Sequence, residues 1–253
     1  MGVYLALLGV VPALARCAVL VRIRSSHLID HYRWFAAYVV AGLLQEGAWF
    51  LGDPRSVGYA SWWTHTAPFV IATSIGATVE LWNLTMSRYR GVSRIYSWLV
   101  PAVITIIAVG TLLTAVDFWA IEWRPTIYRV FLLTYRYTEA PLAMGCAFSL
   151  VWALVFPEQA PKNVKIHAIV LTGNLTAVAA GNGAIVLAHG YNVVAGPAMA
   201  VISVSFFAVW AIFMTREGEI SEPPRPLEDD EVARVRARER DLLNVRRYLR
   251  FRP

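Results

Sequence analysis

Thr73-Ser74-Ile75-Gly76-Ala77-Thr78-Val79-Glu80-Leu81-Trp82-Asn83 is an apolar run with a carboxylate set inside it. A charge at membrane depth is expensive and persists where it meets a partner or performs a task. Everything around this stretch reads the same way. The chain has 253 residues, 57% of them hydrophobic and only 16% charged, and a mean hydropathy of +0.50. That is far more apolar than a water-soluble domain of this length.

A helix needs roughly 20 apolar residues to cross the hydrocarbon core. Seven stretches meet that length: 3–21, 34–51, 59–86, 95–119, 126–156, 165–189 and 193–215. Between them lie breakers and charges such as Gly52-Asp53-Pro54-Arg55 and Glu122-Trp123-Arg124-Pro125. The expectation is an all-α, polytopic membrane bundle of seven transmembrane helices, with six as the competitor because the break at His189-Gly190-Tyr191-Asn192 is weak. Ala13-Leu14-Ala15 resembles a signal cleavage site, but no basic segment precedes it, so the first stretch is read as a span.

Arginine and lysine set the orientation. Arg22, Arg24 and Arg33, then Arg88, Arg90 and Arg94, then Lys162 and Lys165 fall in the odd-numbered loops, while the even loops carry Arg55, Arg124 and none. Positive residues stay on the cytoplasmic side, which puts the N-terminus outside and the C-terminus in the cytoplasm. Residues 1–215 are then the bundle, 216–226 a proline-rich linker, and 227–253 a basic, amphipathic cytoplasmic tail helix. The chain has 21 arginines and two lysines, and ten of the arginines follow Thr215. Basic residues beside membrane segments set topology, so no nucleic-acid partner is implied. The expected partners are the lipid bilayer and, through residues 227–251, a cytoplasmic protein or further membrane subunits.

Counting residues from the middle of each span sorts the buried polar groups into two layers. Gln45, Glu46, His65, Arg136 and Asn182 fall in the outer half, with Glu139 nearer the middle. Arg16, Glu80, Asn83 and Asn174 fall in the inner half. Glu80 and Arg136 are separated by about 18 Å of helical rise, whereas Arg16 is within about 5 Å of the depth of Glu80. The expected structural ion pairs are Arg16 with Glu80 inside, and Glu46 with Arg136 outside. Glu46, His65, Arg136, Glu139 and Asn182, flanked by Trp49, Trp62, Trp63, Tyr135 and Tyr137, form the candidate ligand-binding set. The plain alternative is helix locking and an aromatic belt. Gly173, Ala177, Gly181 and Ala184 recur at near-helical spacing and predict close helix packing.

Several chemistries lack their residues. A retinal Schiff base needs a lysine deep in the bundle, and the only lysines are at the cytoplasmic edge. No HExxH or GxSxG motif occurs, so no catalytic residue is expected. His27, His31 and His167 are a weak metal or haem set, His65 and His189 a weaker one, and no metal site or cofactor is assigned.

Tyr32-Arg33-Trp34-Phe35, Tyr59, Trp62-Trp63, Val79-Glu80-Leu81 and the basic loop 87–94 resemble a group of bacterial seven-helix membrane proteins. More loosely, the same region is similar to the seven-helix sensor modules that precede bacterial signalling domains. The resemblance implies the topology above, a bacterial inner membrane and no particular activity. Two functions are expected from it and from the polar layers: a non-enzymatic receptor or sensor with a small-ligand pocket in its outer half, or a non-catalytic subunit of a larger membrane complex. A transporter trails both, because no internal repeat is evident.

Overall fold

The computed structural model describes residues 2–48, 57–86, 102, 126–155, 160–187 and 192–219. They form six α-helices: α1 Gly2–Ser25, α2 Arg33–Glu46, α3 Val57–Met86, α4 Thr126–Val155, α5 Lys162–Leu187 and α6 Asn192–Phe213, followed by a 3-10 turn, Glu217–Glu219. The expected seven-helix transmembrane bundle is thereby corrected. Among the described residues three helices are long and apolar enough to cross a membrane, at Ser61–Met86, Thr138–Val155 and Lys162–Gly181. They make the chain a multi-pass membrane protein.

One of the expected spans is short for a physical reason. α2 has 14 residues, which gives about 21 Å of rise against a hydrocarbon core of roughly 30 Å. The expected span 95–119 lies, but for residue 102, outside the described residues, as do most of the linker and all of the tail expected at 216–226 and 227–253.

Each described helix packs on the next in chain order, and α6 returns to α1, so the six close a ring; α3 also reaches α5 across it. Aromatic side chains laid over glycines bring the helices together. Trp34 of α2 covers Gly76 of α3, and Trp82 of α3 covers Gly145 of α4, where a Cβ would collide with either ring. The Trp82 indole N–H also donates to the Gly145 carbonyl at 2.8 Å. On α5, Phe206 and Met199 of α6 lie over Gly173 and Gly181, so the row of small residues serves packing within the chain.

Two threonine hydroxyls of α3 inside the bundle are returned to their own helix. Thr78 donates to the Ser74 carbonyl at 2.9 Å and Thr85 to the Leu81 carbonyl at 2.8 Å, which spares the bilayer an unpaired polar group.

α1 ends in a Schellman motif. The Leu28 N–H reaches back to the Ile23 carbonyl at 2.9 Å and the His27 N–H to Arg24 at 3.2 Å, while His27 adopts φ 54°. Leu28 and Ile23, both 1% exposed, make the apolar contact that accompanies this motif. His27 therefore stands where glycine is usual.

Candidate functional site

Glu80 is where the sequence drew attention, and its partner is a helix end. Tyr32 precedes α2 and offers no side-chain cap, so the first N–H groups of that helix need an acceptor. Glu80 supplies it from α3: the Trp34 N–H donates to Oε2 at 2.8 Å and the Phe35 N–H to Oε1 at 3.0 Å. A carboxylate at a helix N-terminus is favoured by the helix dipole as well as by these bonds.

The expected Arg16–Glu80 pair is thus corrected. Arg16 instead binds Glu46, with Nη1 to Oε1 at 3.1 Å and side chains only 14% and 13% exposed. Both acids belong to the surroundings of α2 but at its opposite ends. Phe35 and Glu46 are eleven residues apart, about 16 Å of rise. The depth count failed because α2 starts inside the bundle, at the level of Glu80, and because an arginine side chain reaches well beyond its own Cα. The expected Glu46–Arg136 pair falls on a side chain, that of Arg136, which lies outside the described residues.

Gly42 makes room for this arginine. A Cβ at Gly42 would collide with the Arg16 guanidinium, which on another side faces the Phe207 ring of α6 at 5.2 Å. Arg16 Nε, Glu46 Oε2 and the neighbouring Gln45 Nε2 are buried without a hydrogen-bond partner among the described residues.

One turn below Gly42, Tyr38 opens a second polar contact. Asn174 of α5 donates through Nδ2 to the Tyr38 hydroxyl at 2.9 Å and accepts from Ser203 of α6 at 2.7 Å. Glu139 of α4, 2% exposed, and Arg16 both act electrostatically on that hydroxyl. Five helices therefore send Arg16, Tyr38, Glu46, Glu139, Asn174 and Ser203 into one central polar layer.

Of the ligand set expected from sequence, Glu46 and Glu139 belong to this layer. His65 does not. It is exposed, and its Nδ1 donates to the Ser61 carbonyl of its own helix at 2.7 Å. The side chain of Asn182 lies outside the described residues. Tyr38, Gly42 and Ser203 were missed, and only the hydroxyls offered a signal, as polar groups spaced along otherwise apolar helices.

A third cluster lies at the end where Arg22, Arg24, Arg33, Lys162 and Arg216 gather. His167 is fully buried; Trp210 donates to its Nδ1 at 3.2 Å, and Phe35 and Tyr32 meet it edge to face at 4.6 Å and 4.9 Å. His27 and His31 are exposed in the turn before α2, so the three histidines do not converge, and no metal-binding group of side chains occurs among the described residues. Beyond the ring of His167, the Tyr32 hydroxyl donates to Glu219 Oε1 at 2.8 Å. Asn163 Nδ2 reaches the same oxygen at 2.6 Å and the Thr215 carbonyl at 2.6 Å. Burial, then the charge and hydrogen bond of Glu219, hold the Tyr32 phenol well above its ordinary pKa of 10.0.

No protein family, curated protein or solved structure matches the chain. The resemblance to bacterial seven-helix membrane proteins and sensor modules is corrected accordingly, since it has neither a matching relative nor seven helices among the described residues to rest on. What stands is a multi-pass membrane protein with a buried polar layer.

Proposed function

We propose that this membrane protein is receptor-like and non-enzymatic, binding a small polar ligand at the central layer, with its basic end in the cytoplasm. The observation that carries the reading is the Arg16–Glu46 pair. Two charges held in an apolar bundle repay their desolvation only when their remaining donors and acceptors are also met. Here a donor at Arg16, an acceptor at Glu46 and a donor at Gln45 stay open among the described residues. Such groups in a native interior call for an explanation, and a ligand with its own donors and acceptors supplies one. Because the two charges cancel, a neutral or zwitterionic ligand suits the site better than a simple ion.

The subunit reading is less supported, since Gly173 and Gly181 of the small-residue row of α5 are covered by α6.

The test is a thermal-shift screen of the purified protein in nanodiscs against small amides, amino acids and polyols. A compound should raise the melting temperature of the native protein and lose that effect in the charge-free double variant Arg16→Met with Glu46→Met. A shift that survives in the double variant would sink the assignment, as would a screen in which no compound of these classes has any effect.

A further inference from the structure

The chain does not simply leave the membrane after α6. Met214 is fully buried, and Arg22 Nε of α1 donates to its carbonyl at 2.8 Å. Asn163, at the start of α5, grips the next residue on both sides: Nδ2 donates to the Thr215 carbonyl at 2.6 Å and Oδ1 accepts from the Thr215 N–H at 3.3 Å. The 3-10 turn then folds back on these groups. Gly218 donates to Thr215 Oγ1 at 3.2 Å, and a Cβ at Gly218 would collide with Asn163 Oδ1.

Glu219 closes the turn. Its one oxygen, Oε1, accepts both from Tyr32 and from Asn163. Tyr32 is the residue on which α2 begins, and its ring rests on His167 and, at 5.9 Å, on Trp210. Two residues further on, the helix is held by Glu80 of α3. The position of the first turn of α2 and the docking of Glu219 are therefore fixed by one short run of chain.

We propose that the Glu217–Glu219 turn is a clasp that couples the start of α2 to the chain beyond residue 219. When the first turn of α2 moves away from Glu80, Tyr32 withdraws from Glu219, and the turn is left on Asn163 alone. The clasp gives the receptor reading its outward route, and rests on that reading only for its use, since the contacts exist without any ligand.

Hydrogen exchange of the full chain in nanodiscs, read on peptides covering residues 213–219, tests this without a ligand. Tyr32→Phe should accelerate exchange there by about tenfold, the loss of one charge-assisted contact, and Glu219→Ala, which also loses the contact to Asn163, by at least as much. The two together should be no faster than Glu219→Ala alone. The decisive variant is Glu80→Ala, with Glu80→Gln as a milder form should the first fold poorly. Glu80 makes no bond to the turn, yet its loss should speed exchange at 213–219 as well as at 33–36. Acceleration confined to 33–36 would overturn the coupling, and an unchanged rate in Tyr32→Phe would overturn the clasp. Either failure leaves the Arg16–Glu46 ligand test standing, and failure of that test leaves this one untouched.

Discussion

Glu80 of α3 caps α2 from outside that helix, taking the Trp34 and Phe35 N–H groups on its two carboxylate oxygens. Trp34 lies over Gly76 one turn away, so the cap and the ring together fix how α2 sits on α3. At the far end, the Trp62 indole donates to the Leu44 carbonyl at 2.6 Å. The hairpin of these two helices is pinned at both ends by contacts to backbone.

Removing the cap should be felt in α2. Glu80→Ala leaves two N–H groups unmet and is expected to destabilise by about 1–2 kcal/mol, the range for losing an N-cap. Glu80→Gln keeps an acceptor while losing the charge, at about 0.5–1 kcal/mol. Denaturant titrations in mixed micelles should rank the native protein, Glu80→Gln and Glu80→Ala in that order. Equal midpoints for all three would remove the capping role.

The sequence legibly marked Glu80 and Arg16 as buried charges in need of partners, because their cost in lipid does not depend on the details of packing. It did not reveal which partners. That choice turns on where α2 begins, and the start of α2 is set by the buried turn at Leu28 and Tyr32, a tertiary effect with no local periodicity. The membrane character was legible from composition. The number of spans was not, since a 14-residue helix continuing into further apolar residues reads as one longer span. Asn163 and Glu219 were missed for a different reason: each is an ordinary polar residue at a helix boundary, and only the folding back of the chain after α6 joins them.

The Arg16–Glu46 pair should behave as a unit. Arg16→Ala leaves Glu46 buried and unpaired and is expected to destabilise by about 3–5 kcal/mol, whereas Arg16→Met with Glu46→Met should be close to neutral. Combining Arg16→Ala with Glu80→Gln should give the sum of the single effects, because those two residues act at opposite ends of α2. A double-mutant cycle separates the cases: strong coupling between positions 16 and 46, none between 16 and 80. Coupling to position 80 would restore the pairing read from sequence depth.

His27 predicts a gain. A residue with a Cβ in the left-handed region at φ 54° is strained by roughly 1 kcal/mol relative to glycine. His27 is exposed, its side chain has no hydrogen bond or ion pair among the described residues, and glycine keeps its backbone bond to Arg24. His27→Gly should therefore stabilise the protein by about 0.5–1 kcal/mol. A lowered melting temperature would show that the imidazole contributes something beyond the turn.

Tyr32 predicts a pH dependence. Its phenol is held protonated well above 10.0 in the folded protein, while in the unfolded chain it ionises near that value. Above pH 10 the folded state retains a proton the unfolded state has released, so stability falls with rising pH. The contribution is complete below pH 10 and is lost progressively up to the raised folded value. Tyr32→Phe should lower stability at pH 8 by about 1–2 kcal/mol through the lost bond to Glu219, but it carries no ionisable phenol. The gap between native and variant should therefore shrink above pH 10, by up to about 1.4 kcal/mol per pH unit, while all other titrating groups cancel in the comparison. Unfolding midpoints measured from pH 8 to pH 11 check this. A gap that stays constant across that range would mean the Tyr32 hydroxyl is not the buried donor to Glu219 that the geometry gives.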